Sequence, residues 1–189
     1  FDLGAGTYTN GGSFNETWVN FEHYYNGAAS GSETVIGSTA SNNITTGSGS
    51  NIISGDAGND TISSGAGNDT VDGGTGNDVI NAGTGDDSIT GGDGNDTITG
   101  GDGLDAIDGG AGNDTIDAGA GNETVYGQAG NDNISGGDGD DLLIGGTGND
   151  VFDGGSGRDL AYGEEGDDTF RLYNGWNGSY GEAFFGGAG

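Results

Sequence analysis

In the stretch GGTGNDVINAGTGDDSITGGDGNDTITG, residues 73–100, three carboxylates recur nine residues apart: Asp78, Asp87 and Asp96. Each follows a Gly-x-Gly-x run and stands two residues before an isoleucine, Ile80, Ile89 or Ile98. A carboxylate on a short arm beside a glycine-rich turn is suited to donate oxygen to a hard cation. Calcium takes roughly six to eight oxygens and mixes carboxylates with backbone carbonyls. Glycine reaches positive φ at little steric cost, so a glycine-rich turn can aim successive carbonyls the same way.

With Asp78 as position 6 of a nonapeptide, the register runs without insertion over residues 28–171, sixteen units in all. Position 6 holds Asp60, Asp69, Asp78, Asp87, Asp96, Asp105, Asp114, Asp132, Asp141, Asp150, Asp159 and Asp168, with Glu33, Glu123, Asn42 and Asn51 in the other units. Glycines at positions 2 and 4 are the expected carbonyl donors: Gly58, Gly67, Gly74, Gly76, Gly83, Gly85, Gly92, Gly94, Gly101, Gly103 and Gly110. The set continues with Gly112, Gly119, Gly121, Gly130, Gly137, Gly139, Gly146, Gly148, Gly155 and Gly157. Position 8 is apolar throughout, from Val35 through Ile44 and Ile53 to Phe152, Ala161 and Phe170. One apolar residue between mostly polar neighbours predicts a very short strand with a single side chain facing inward. A turn and a mini-strand repeated in this way wind a solenoid whose units stack on one another.

The pattern G-G-x-G-x-D-x-U-x resembles the RTX (repeats-in-toxin) nonapeptide, a calcium-binding repeat. The resemblance covers residues 28–171 and is strict over 55–171. It implies an all-β fold, a right-handed parallel β-roll (β-solenoid) with two nonapeptides per coil and calcium between turns stacked on the same side. Repeat n then pairs with n+2, eighteen residues away. One row of turns carries Asp60, Asp78, Asp96, Asp114, Asp132, Asp150 and Asp168, enclosing six inter-turn sites. The other carries Asp69, Asp87, Asp105, Glu123, Asp141 and Asp159, enclosing five. The expected cofactor is therefore calcium, about eleven ions, against a formal net charge of −29. Glu123 is one methylene too long for a site shaped around Asp, so the two sites touching it are expected to be weak or partly empty. Glu33, Asn42 and Asn51 predict a calcium-poor start to the roll.

Composition narrows the alternatives. There are 31 acidic residues against two basic ones, Arg158 and Arg171, with 48 glycines and no Pro, Cys or Met. For an aperiodic chain this charge and a hydrophobic content of 29% would predict disorder. The fixed phase between acid and aliphatic argues instead for a fold completed by cations. So negative a chain repels nucleic-acid phosphates and anionic lipid headgroups, and no stretch approaches the length of an apolar membrane span. Neither nucleic acid nor membrane insertion is expected. No enzyme is expected within these residues: Cys is absent, His23 is the only histidine, and no H-E-x-x-H motif occurs. The repeated GND triplet has the look of an anion-binding glycine loop, but the charge has the wrong sign for phosphate. Acids outside position 6, such as Asp72, Asp93, Asp102, Asp108 and Asp117, are expected on the solvated face.

Aromatic residues crowd the ends: Phe1, Tyr8, Phe14, Trp18, Phe21, Tyr24 and Tyr25 before the repeats, and Phe170, Tyr173, Trp176, Tyr180, Phe184 and Phe185 at the close. Open solenoid ends need covering. Residues 1–27 are thus expected to form a capping or lead-in segment, similar to the lead-in of serralysin-type C-terminal domains, with strands that prolong the roll. Residues 28–54 read as degenerate repeats, 55–171 as regular ones. Residues 172–189 read as an aromatic segment ending in GGAG, the first letters of a further repeat. The chain is expected to be a piece of a larger protein.

The resemblance implies a calcium-binding module of a secreted bacterial protein, exported by type I secretion and folding outside the cell. A structural rod or coat element of an adhesin, surface layer or extracellular filament, with self-association, is the second reading. A calcium-dependent polysaccharide-binding module is the third. Ice binding is not expected, because position 3 (Ala57, Ala66, Thr75, Thr84, Asp93, Asp102, Ala111) presents no regular rank.

Overall fold

The computed structural model describes residues 7–9, 16–27, 30–171 and 183–187. Each regular unit supplies the same local instructions. In Thr97–Gly103, the run Thr97, Ile98, Thr99 is β-branched and extended, with Ile98 1% exposed and its neighbours facing outward. Gly101 then takes φ 117° and Gly103 φ 154°, which turns the chain. A six- to seven-residue strand and a short turn make half a coil.

Among the described residues, twenty strands fall into two ten-stranded sheets, one built from the odd-numbered and one from the even-numbered strands in chain order. Every pairing is parallel. Ile98 lies opposite Ile80 on one side and Ile116 on the other, eighteen residues away in each direction. A β-roll with two nonapeptides per coil is the observed architecture.

The core is a double column of position-8 side chains between the sheets. Ile44, Ile62, Ile80, Ile98, Ile116 and Ile134 come from one sheet, and Val35, Ile53, Val71, Ile89, Ile107 and Val125 from the other, none more than 1% exposed. At the C-terminal end the columns turn aromatic: Phe152 stacks on Phe170 at 4.9 Å, and Phe184 lies 5.2 Å from Phe170.

The roll also continues ahead of the repeats. Glu16–Phe21 pairs with Glu33–Gly37, and His23–Tyr25 pairs with Asn43–Thr45, placing Tyr24 in the core at 1% exposure. His23 faces solvent. The expected capping roles of Phe1, Phe14, Tyr173, Trp176 and Tyr180 fall outside the described residues, as do the side chains of Tyr8, Trp18 and Phe21.

Candidate metal sites

The turn before Ile98 shows how the sequence builds the site. Gly91 faces inward, Gly92 and Gly94 take φ 113° and 147°, Asn95 and Asp93 point to solvent, and Asp96 turns back inside at 1% exposure. Strand pairing stacks this turn on those of Asp78 and Asp114. Asp96 Oδ1 accepts a hydrogen bond from the backbone N–H of Asp78 at 2.8 Å, and the N–H of Asp96 donates to Asp114 Oδ1 at 2.8 Å. Asp96 Oδ2 is buried with no hydrogen-bond partner.

The rung repeats along both columns. In the first, the N–H groups of Asp60, Asp114, Asp132 and Asp150 donate to Oδ1 of Asp78, Asp132, Asp150 and Asp168 at 2.7 to 3.0 Å. In the second, Asn51, Asp69 and Asp87 donate to Asp69, Asp87 and Asp105 at 2.7 to 2.9 Å, and Asp141 donates to Asp159 at 3.1 Å. Oδ2 of Asp60, Asp69, Asp78, Asp87, Asp105, Asp114, Asp132, Asp141 and Asp150 is in every case buried and unpartnered. An unpaired buried carboxylate oxygen is costly, and one in each successive turn implies a missing positive partner.

Burial dominates the electrostatics. It pushes the carboxyls of Asp60, Asp87 and Asp96 up to about 6 and that of Asp132 to about 7, and neighbouring carboxylates in the column add to the rise. Burial likewise raises Asp69, Asp78, Asp105, Asp114 and Asp150. Glu123 stands apart. Burial, then the facing Asp141 and Asp105, lifts it to about 8. Both its carboxylate oxygens lack a hydrogen-bond partner, while its N–H donates to Asp141 Oδ1 at 2.9 Å. Its longer side chain curls back toward Gly121 of its own turn, where a Cβ would lie 2.3 Å from Oε1.

The degenerate units make hydrogen bonds to other protein groups. Asn26 Nδ2 donates to Glu33 Oε1, the Ser38 N–H donates to Asn42 Oδ1 at 2.6 Å, and Asn51 Nδ2 donates to the Ser64 carbonyl at 3.2 Å.

Position 1, absent from the expected ligands, forms the inner wall of the site. A Cβ on Gly91 would lie 2.5 Å from both Asp96 Oδ2 and the carbonyl oxygen of Gly109 in the next turn. Only a hydrogen fits there, and two oxygens converge on the space. At positions 2 and 4 the backbone of successive turns is as close: a Cβ on Gly92 or Gly94 would meet the carbonyl oxygens of Gly74 and Gly76 at 1.9 and 1.8 Å. Among the described residues no three Asp, Glu, His or Cys side chains cluster together. The oxygens open to a cation here are those of column carboxylates and backbone carbonyls, a donor set of all-oxygen character that fits calcium.

Asparagine at position 5 was legible only as the recurring GND triplet. The N–H groups of Asn77, Asn95 and Asn113 donate to Oδ1 of Asn59, Asn77 and Asn95 at 2.7 to 3.0 Å, making an outer ladder that runs opposite in sense to the aspartate one. In the second column the equivalent residues vary. Leu104 supplies no acceptor there, and Arg158 pairs with Asp140 at 2.6 Å on the surface, its hydrogen bonds holding the Asp140 carboxyl below the usual range. Asp72, Asp93, Asp102 and Asp117 face solvent, while Asp108 is half-buried and accepts from Gln128 Nε2 at 3.0 Å.

Comparison with known families gives one match. The RTX calcium-binding nonapeptide repeat (4 copies) matches at residues 28–62, 36–71, 72–107, 99–134, 117–152 and 135–170. Among curated proteins, none matches the chain.

Proposed function

The chain belongs to the RTX calcium-binding repeat family, and from that premise we propose that it is a module of a larger secreted protein that folds when calcium fills its turns outside the cell. The observation that carries this reading is the run of buried, unpartnered Asp Oδ2 atoms in both columns. Calcium would sit against those oxygens and the position-1 carbonyls, supplying the positive charge that the chain itself lacks. Binding free energy is then folding free energy. Extracellular calcium modules bind at roughly 10⁻⁴ to 10⁻³ M, weak enough to stay empty in a cytoplasm and fill outside. Inside the cell, a chain of net charge −29 with no metal remains extended and suited to export. Outside, the loaded roll stabilises the parent to which it is joined.

Far-UV circular dichroism of the chelator-treated chain, titrated with calcium and with magnesium as control, tests this. The expected result is a cooperative gain of sheet with calcium alone. A chain that stays unfolded at several millimolar calcium, or folds equally with magnesium, sinks the reading.

A second reading, calcium-dependent polysaccharide binding, is favoured by one feature. The outer face of the even-numbered sheet aligns Tyr126, Ile144, Tyr162 and Phe185 on successive strands. Tyr126 and Phe185 are 40% and 50% exposed, and Tyr162 stacks on Phe185 at 5.0 Å. Flat aromatic faces in a row suit the apolar faces of sugar rings. The net charge points to an uncharged polymer. Retardation in gels cast with neutral glycans, present in calcium and lost in Tyr126→Ala, is the expected outcome; unchanged mobility in all of them removes this reading.

A further inference from the structure

The two columns are not chemically equivalent at position 1. In the column from Asp60 to Asp168, position 1 is glycine in every turn, from Gly55 to Gly163. A Cβ there would lie 1.9 to 2.7 Å from Oδ2 of the same turn's aspartate. In the other column the same position reads Thr46, Ser64, Ala82, Gly100, Ala118, Gly136 and Gly154. Thr46, Ser64, Ala82 and Ala118 are all at least nine-tenths buried, so their side chains occupy the inner wall itself.

The hydroxyls show what that occupation does. In a glycine turn, the space beside Gly55 is bounded by Asp60 Oδ2 and the Gly73 carbonyl oxygen, at 2.3 and 2.4 Å from a built Cβ. In the second column, Ser64 Oγ donates to the corresponding carbonyl of Ala82 at 2.9 Å. Thr46 Oγ1 donates to that of Ser64 at 2.7 Å. A protein hydroxyl has taken the backbone oxygen that elsewhere faces a bare carboxylate. At Ala82 and Ala118 a methyl stands on the same inner wall, in turns whose Asp87 and Glu123 are themselves buried.

We propose that position 1 gates the cation sites of this roll, so that the intervals opening at Ser64, Ala82 and Ala118 are closed while the Asp60–Asp168 column fills as an unbroken array. This rests on the calcium reading above. It differs from weakness at Glu123 alone, because it closes turns whose position-6 residues, Asp69 and Asp87, match the repeat. The chain then holds six tight ions in one column and at most two in the other, and the second column is braced near its start by hydroxyls.

Equilibrium dialysis against radioactive calcium counts the ions directly on the full chain. At most eight tight sites are expected, with the remainder weaker by about tenfold or more, a step of about 1.4 kcal/mol each. The Ser64→Gly, Ala82→Gly double variant should gain two tight sites. Gly109→Ala, which imitates a residue the fold already tolerates at Ala82 and Ala118, should lose at least one. Circular dichroism in saturating calcium confirms that each variant is folded. Eleven equal sites in the unaltered chain, or a count unchanged in both variants, overturns the gate while leaving calcium binding intact. A chain that retains no calcium overturns the functional reading and the gate together.

Discussion

Held in chelator at pH 8, the chain should lose its sheets, and lowering the pH to 5 without adding metal should restore them. The buried carboxyls of Asp60, Asp87 and Asp96 stand near 6, Asp132 near 7 and Glu123 near 8. In an unfolded chain the same groups titrate at about 4. The folded chain therefore binds protons more tightly than the unfolded one, so the stability of the calcium-free roll rises as the pH falls from about 8 towards about 4. A shift of two units corresponds to about 3 kcal/mol per group, and coupling along each column keeps the total below the sum. Protons and calcium thus answer the same need, by removing charge from a dry column. At pH 5 the chain is still above its isoelectric point of about 4.1, so the refolded material keeps a net negative charge. In the presence of calcium the dependence inverts: ligands must be ionised to bind metal, and the calcium midpoint should climb as the pH drops below about 7. Circular dichroism across pH 4 to 8, with chelator and then with calcium, reads both limbs. Equal disorder at pH 5 and pH 8 in chelator would mean that carboxylate burial is not what unfolds the apo chain.

The fold was legible because the sequence states its period without interruption. A nine-residue spacing of Ile and Asp over residues 28–171 fixes both the inward side chains and the register, and Ile98 does lie between Ile80 and Ile116. What escaped the pattern did so for physical reasons. Tyr24 enters the core opposite Ile44, twenty residues away, and Trp18 pairs with Val35 at seventeen, so the lead-in continues the roll off the repeat's beat. The outer ladder of Asn59, Asn77 and Asn95 is made of backbone-to-side-chain bonds that no composition rule anticipates, although eighteen-residue spacing of Asn was there to be seen. Position 1 was hidden because glycine contributes nothing but its lack of a Cβ. What that lack leaves open is seen in space, where Asp96 Oδ2 and the Gly109 carbonyl converge beside Gly91. Asp56, Gln128 and Glu164 also adopt positive φ, 77°, 76° and 68°, where the neighbouring coils carry glycine at position 2. The stacked turns hold these residues in a backbone conformation costing on the order of 1 kcal/mol each.

Asp114 should be among the most sensitive single positions, because it sits in the middle of the uninterrupted column. Its Oδ1 accepts from the Asp96 N–H at 2.8 Å, and its own N–H donates to Asp132 Oδ1 at 2.8 Å. Asp114→Ala leaves the buried Asp96 N–H without its acceptor, a cost of about 1–3 kcal/mol. It also removes a carboxylate from the intervals on both sides. A site held at a hundredfold excess of calcium over its dissociation constant contributes about 2.7 kcal/mol, so losing two such intervals outweighs the lost hydrogen bond. Against this stands the relief of one desolvated charge, since burial raises Asp114 itself. The net expectation is a loss of about 4–6 kcal/mol in calcium-saturated urea unfolding, with a higher calcium midpoint. Asp117→Ala, three residues on and facing solvent, should leave both measurements unchanged. In chelator at neutral pH the order should reverse: Asp114→Ala deletes a buried carboxylate whose Oδ2 has no partner, and the relief of that charge makes the calcium-free chain less prone to unfold. That change of sign separates a metal ligand from a residue that merely packs, because a packing residue destabilises with or without the ion. If Asp114→Ala and Asp117→Ala behave alike in calcium, the buried columns are not where the ions sit.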